Sequence, residues 1–420
     1  MCITVHPSFI TGKIKAPASK SLTQRALVAC LLSKGTSTLY NPGESEDEKN
    51  VKRSTLSLGS EFQNKPEYIN ITGGLNLREK KINTGESGLG LRLIAPVAAL
   101  FDQEIILEGE GSILKRPMHV MEKALIDLGA TCETKQGYLP IKVKGPLKGG
   151  EIEMDGSLSS QFLSGLLFAL PLAKNNSVIH VKDLQSKPYI DLTMDILQLH
   201  GIQVRNYNYQ SFFIPGNQSY QPAEHFIESD WSNATFLFAA GAINGNIEIS
   251  GLNPLSFQGD KNILKALDSC QANYKFNKNH YEIKSGSILK PFKVDATETP
   301  DLFPPLASIA AYCEGTSFIT GAKRLIHKES NRAESLIREF SEMGIEIRLI
   351  DEDTLRITGG KPTGGTFNSH NDHRIAMAGA ILALNADKPI KITNHRSVNK
   401  SYPGFFSDLE KLNVKISNEL

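Results

Sequence analysis

The residues best suited to chemistry stand just ahead of apolar runs. Lys20, Ser21 and Arg25 open the run ALVACLL; Gly85-Glu86-Ser87-Gly88-Leu89-Gly90-Leu91-Arg92 opens a second; Ser159-Ser160-Gln161 opens a third. Pro300-Asp301 and Asn371-Asp372-His373-Arg374 open two more, each leading into a wholly apolar segment. Lys115-Arg116-Pro117, Ser186-Lys187-Pro188-Tyr189, Lys328-Glu329-Ser330-Asn331-Arg332 and Lys400-Ser401-Tyr402-Pro403-Gly404 precede more amphipathic segments. A helix start presents unpaired N–H groups and positive partial charge, so a neighbouring Lys or Arg completes an anion site. Lys20, Arg25, Arg92, Arg116, Lys328, Arg332, Arg374 and Lys400 form such a set and face few acids. The pattern reads as a site for a small polyanion, or for two anionic substrates. Asp301 suits either an N-cap or a base, and Glu329 is the second proton-transfer candidate.

Elements that repeat must carry these residues. Helix-like apolar runs begin near Ser21, Ser87, Ser159, Ser232, Asp301 and Asp372, at intervals of roughly 70 residues, longer than the common solenoid repeats. Each is followed by a strand-like segment (TSTLY, EIILEG, SVIHV, NIEISG, TSFITG, PIKIT) and then an amphipathic helix. Alternating strand pairs close the first five units. The first helix of each unit is apolar all round and should be buried on every side, with second helices and sheets outside. The sixth unit stops short of its closing pair, which Ile3-Thr4-Val5 and Lys13-Ile14-Lys15 can supply. The expected fold is therefore a two-domain inside-out α/β barrel of six βαβαββ-type repeats, three per domain. Residues 18–226 form one lobe and residues 1–17 plus 227–420 the other, with the site in the cleft between them.

Composition limits the alternatives. Of 420 residues, 40% are apolar and 22% charged, and 46 basic side chains balance 45 acidic ones to a net charge of +1. No global field points to nucleic acid or a membrane surface. The five cysteines (Cys2, Cys30, Cys132, Cys270, Cys313) are scattered without a Cys-x-x-Cys, which favours a reducing compartment and argues against a zinc site. Met1 to His6 lacks a basic region followed by an apolar one, and Phe162 to Ala173 is too short to span a bilayer. The expectation is a cytoplasmic monomer with no metal, nucleic acid or membrane partner.

Pro17–Arg25, Ser159-Ser160-Gln161-Phe162-Leu163, Lys187-Pro188-Tyr189-Ile190-Asp191, Lys328-Glu329-Ser330, Asp372-His373-Arg374-Ile375-Ala376-Met377 and Lys400-Ser401-Tyr402-Pro403-Gly404-Phe405-Phe406 resemble the EPSP synthases (3-phosphoshikimate 1-carboxyvinyltransferases) over nearly the whole chain. The resemblance implies the two-domain inside-out fold. It implies transfer of the enolpyruvyl group of phosphoenolpyruvate to the 5-hydroxyl of shikimate 3-phosphate, without a cofactor. By similarity, Lys20, Ser21, Arg25, Ser159, Ser160, Gln161, Ser186, Tyr189, Asp301 and Lys328 would hold shikimate 3-phosphate. Lys20, Gly88, Arg116, Gln161, Arg332, His373, Arg374 and Lys400 would hold phosphoenolpyruvate. Asp301 would take the hydroxyl proton and Glu329, with Lys328 beside it, the methylene proton; Lys20 and Lys400 complete the catalytic set.

Some positions depart from the family pattern. Glu86-Ser87-Gly88-Leu89 stands where Asn-Ala-Gly-Thr or Asn-Ser-Gly-Thr is usual, Asn331 where Asp is common, and Arg324 where some members have Asn. Glu86 would bring negative charge towards the phosphoenolpyruvate site. Two rivals remain. A UDP-N-acetylglucosamine enolpyruvyl transferase would carry a reactive Cys between Glu108 and His119, where this sequence has none. A non-catalytic anion- or RNA-end-binding protein would not need Asp301 or Glu329.

Overall fold

A computed structural model describes residues 2–419. Two compact units emerge: residues 1–17 with 229–420, and residues 18–228. Ile227 and Glu228 go with the second unit, where their carbonyls accept from Asn41 Nδ2 (2.8 Å) and the Ser19 N–H (2.8 Å).

Helices of two kinds alternate. The apolar set is α1 (Lys20–Leu32), α3 (Gly88–Ala98), α5 (Ser160–Ala169), α7 (Trp231–Asn244), α9 (Phe303–Ala310) and α11 (His373–Ala383). Every residue of α3, α9 and α11 is buried, as is all of α1 from Leu22 onward. A helix without a polar face can only sit inside. The other set is α2 (Glu46–Leu58), α4 (His119–Asp127), α6 (Lys187–Leu199), α8 (Ile263–Ser269), α10 (Arg332–Glu342) and α12 (Phe405–Lys411), each with one wet side. Inside the second unit α3 and α5 approach closely at Gly165, where a Cβ would lie 2.0 Å from the Arg92 carbonyl oxygen. Pro96, four residues on, has no N–H to bond that carbonyl, so the groove there is backbone rather than side chain.

Six four-stranded sheets cover the helices, three to each unit. In each, the strand leading into an apolar helix lies parallel to a post-helix strand, and a closing antiparallel pair follows. Two leading strands do not stay with their own repeat. Ile10–Lys15, which leads into α1, pairs with Gly245–Ser250. Glu224–Phe226, which leads into α7, pairs with Gly35–Tyr40. The chain therefore exchanges one strand at each of its crossings, near residues 17 and 228. The expectation that Lys13–Lys15 closes the sixth repeat is corrected on this point. Cys2–Val5 does pair with Ile390–Thr393, but the outer strand there is Ile416–Glu419. Both positions needed pairing partners far away in sequence, which local alternation does not specify.

Candidate functional site

In the unit of residues 18–228 the first turns of α1, α3 and α5 are tied together by side chains. Ser87, the N-cap of α3, accepts from the Gly90 N–H (3.0 Å), and its hydroxyl donates to Gln24 Oε1 of α1 (3.2 Å). Arg92 Nη1 donates to Gln161 Oε1 on α5 (2.6 Å), and the Arg92 guanidinium lies 4.6 Å from the centre of the Phe162 ring. Ser159 caps α5 by accepting from the Gln161 N–H (3.3 Å). Arg25 is buried and spends four of its five N–H donors inside the protein: on Thr193 Oγ1 (2.9 Å), the Ser21 carbonyl (3.0 Å), Ser164 Oγ (3.4 Å) and the Tyr189 carbonyl (3.1 Å). It thereby brackets α1, α5 and α6 and sets where Ser186 and Tyr189 stand at the start of α6. Ser186 itself takes a left-handed backbone (φ 58°).

Lys20 Nζ pairs with Asp47 Oδ2 (2.8 Å) at the start of α2. That start is a capping box: the Ser45 N–H donates to Glu48 Oε2 (2.7 Å). Gly88 makes room for Arg116, because a Cβ there would lie 2.3 Å from Arg116 Nη1. Glu86 accepts the Ser112 N–H (2.8 Å), so its carboxylate holds the turn Gly111–Lys115 that delivers Arg116. The unusual acid is thus engaged by backbone.

In the other unit the starts of α9, α10 and α11 meet at Arg332. This fully buried guanidinium donates from Nη1 to Asp301 Oδ1 (2.6 Å), from Nη2 to Glu329 Oε2 (2.6 Å), and from Nε to Asp372 Oδ2 (2.7 Å). Asp372 also caps α11 through the Arg374 N–H (2.9 Å) and accepts from Ser330 Oγ (3.2 Å). Arg374 Nη2 reaches Asp301 Oδ2 (3.0 Å), and Lys328 Nζ lies 3.7 Å from Asp301 Oδ1. Lys400 Nζ donates to the Asn371 carbonyl (2.6 Å), and His373 is buried with Nδ1 3.7 Å from Asp372. Asn331, standing where the family commonly has Asp, still caps α10 by accepting from the Glu334 N–H (3.5 Å). The Asp301 side chain keeps 23% of its exposure, so a ligand can reach it.

The charges around Asp301 oppose one another. Burial pushes its pKa up, but Arg374, Lys328 and Arg332 outweigh that and hold the carboxyl well below the usual range. Burial lowers Lys328 to about 8, with Arg332 and Arg324 adding repulsion and Asp301 resisting. Arg332 moves the other way: burial opposes its charge, but Asp372, Glu329 and Asp301 raise it. The expectation of cations facing few acids is corrected. Asp47, Asp301, Glu329 and Asp372 each hold a cation, because buried guanidinium and ammonium groups need counter-charge before any ligand arrives. Asp47 was not singled out from sequence, and Asp372, named there in the Asn371–Arg374 quartet, was given no role. Their signals were present: Ser45-x-x-Glu48 around the first, and an acid directly before an apolar helix at the second.

Residues 5–409 match the family model described as EPSP synthase (3-phosphoshikimate 1-carboxyvinyltransferase). The chain belongs to the EPSP synthase family. A family member from Clostridium novyi, named 3-phosphoshikimate 1-carboxyvinyltransferase, is 37% identical over 98% of this chain and 97% of its own. One of the same name from Aeropyrum pernix is 34% identical over 99% and 96%. The solved EPSP synthase of Acinetobacter baumannii superposes with a TM-score of 0.82 at 25% identity, covering 99% of this chain and all of that one. The enolpyruvyl transferase NikO of Streptomyces tendae reaches the same TM-score, 0.82, at 16% identity, a likeness of fold alone.

Proposed function

We propose that this EPSP synthase family member transfers the enolpyruvyl group of phosphoenolpyruvate to the 5-hydroxyl of shikimate 3-phosphate and releases phosphate. The observation that carries the reading is the Asp301 carboxylate, reachable from outside and held between Arg374, Arg332 and Lys328. In the resting protein those cations keep Asp301 ionised. When the phosphate and carboxylate of phosphoenolpyruvate engage Arg374, that cation no longer acts on Asp301 alone. Burial then pushes its pKa upward, so the carboxylate becomes a stronger base as the substrate arrives. It accepts the 5-hydroxyl proton as the oxygen attacks C2 of phosphoenolpyruvate, while C3 receives a proton from the Glu329 and Lys328 pair. The resulting ketal returns a proton from its methyl group to that pair and expels phosphate, leaving the enol ether.

In this reading helix starts of both units supply the substrate contacts. Ser21, Arg25, Ser159, Ser160, Gln161, Ser186 and Tyr189 hold shikimate 3-phosphate. Gly88, Arg116, Gln161, Arg332, His373, Arg374 and Lys400 hold phosphoenolpyruvate, and Lys20 exchanges Asp47 for both substrates. Arg332 serves mainly by fixing Asp301 and Glu329, since all three of its nitrogens already donate to carboxylates. A cytoplasmic location fits free thiols at all five cysteines. The test is phosphate release from phosphoenolpyruvate with and without shikimate 3-phosphate. Release that depends on shikimate 3-phosphate supports the reading; release driven by UDP-N-acetylglucosamine, or none with either acceptor, refutes it.

A further inference from the structure

Away from the helix starts, the unit of residues 18–228 buries a thiol and two imidazoles together. Cys30 lies in the last turn of α1, His200 just after α6, and His225 in the strand Glu224–Phe226. One ligand atom from each, Sγ or a ring nitrogen, lies within 4.8 Å of the other two, and all three residues are buried. Cys30 sits about ten residues along α1 from Lys20, about 15 Å from the helix start, so this cluster is distinct from the substrate residues.

The hydrogen bonds define the tautomers. His200 Nδ1 is 2.7 Å from the Gln221 carbonyl, which can only accept, so Nδ1 carries the hydrogen and Nε2 presents a lone pair. His225 Nε2 lies 2.8 Å from that lone pair and therefore donates to it. His200 is thus oriented as metal-bound histidines are, with its far nitrogen fixed by a backbone carbonyl.

We propose that Cys30, His200 and His225 form a site for one Zn2+ ion, with water as the fourth ligand. Thiolate with two imidazoles is a donor set suited to zinc. Binding forms one Zn–S and two Zn–N bonds; the Cys30 thiol releases its proton to solvent, and the single ring hydrogen of His225 shifts from Nε2 to Nδ1, freeing Nε2 for the metal. The rings move apart slightly, because two nitrogens bound tetrahedrally at about 2.0–2.1 Å stand farther apart than hydrogen-bonded ones. The sequence offered no hint: the three residues are remote from one another and no Cys-x-x-Cys is present. The exchanged strand Glu224–Phe226 brings His225 in, placed by its pairing with Gly35–Tyr40. Zinc would pin that strand to α1 and α6 just before the chain leaves the unit.

The test uses the full chain, freed of metal and titrated with Co2+ as a spectroscopic probe and Zn2+ for stability. Expected are one Co2+ per chain with a thiolate-to-cobalt charge-transfer band, and a melting temperature raised by about 5 °C at Zn2+ near a hundredfold of its Kd. Cys30→Ala should lose the band, and His225→Gln should weaken binding at least tenfold. Absence of a stoichiometric band in the unsubstituted protein overturns the proposal whether or not the variants fold. So does a band that survives in Cys30→Ala.

Discussion

Asp372 offers the sharpest test of how the unit of residues 1–17 and 229–420 is built. Its carboxylate is wholly buried, caps α11, and accepts two guanidinium hydrogens from Arg332 at 2.7 and 3.3 Å. Asp372→Ala removes an N-cap, about 1 kcal/mol. It also breaks a buried ion pair, for which about 3–5 kcal/mol is usual. The lower end applies, because Asp301 and Glu329 still compensate the Arg332 charge. The sum is about 4 kcal/mol. For a unit of about 200 residues, each kcal/mol moves the melting temperature by about 2–4 °C, so a fall of about 10 °C is expected. Asp372→Asn keeps the cap and should recover about 1 kcal/mol of the loss. Calorimetry on the full chain measures both. A shift below about 2 °C for Asp372→Ala, or Asn no better than Ala, would refute the idea that this carboxylate anchors Arg332.

Gly88→Ala puts a methyl group 2.3 Å from Arg116 Nη1 and should push the flexible guanidinium aside. The KM for phosphoenolpyruvate should rise about tenfold while that for shikimate 3-phosphate changes little; steady-state kinetics with each substrate varied checks this. Because burial lowers Lys328 to about 8, its charged form is lost as pH rises through that value. Turnover should therefore fall on an alkaline limb centred near 8, and Lys328→Arg should move the limb upward by at least one unit. Burial raises Glu48 to about 7, so a carboxylate that ionises readily in the unfolded chain stays protonated in the folded one. The stability this contributes is full below the unfolded pKa and lost as pH rises through about 7. Glu48→Gln, which retains a capping-box side chain, should gain on the original protein by about 3 kcal/mol between pH 4.5 and 7.5, read from urea midpoints at each pH.

Much of this architecture was visible in the sequence because helices without a polar face have few places to go. The six apolar runs, their spacing and the strands after them follow from period and burial alone. The exchange of Ile10–Lys15 and Glu224–Phe226 was not legible, since either strand satisfies its own alternation equally well beside either partner. The cations proposed for the substrates were legible as a set from their place before helices. Their counter-charges were less so: Asp47 and Asp372 look like ordinary capping residues until distance shows which cation each one holds. Glu86 looked like misplaced charge in the sequence, yet it is the residue that fixes the turn leading to Arg116. His200 and His225 carried no signal at all, because only the fold brings them to Cys30.

The most direct test of the central claim separates binding from turnover in Asp301→Ala. Removing the carboxylate frees Arg374 and Lys328 from their internal partner, so phosphoenolpyruvate should bind at least as tightly, in the presence of shikimate 3-phosphate, as it does to the original protein. Phosphate release should fall by at least a hundredfold, the lower range for loss of a positioned acid–base group. Binding by calorimetry and phosphate release on the same preparation give both numbers. Turnover within tenfold of the original would contradict the role of Asp301 as the base.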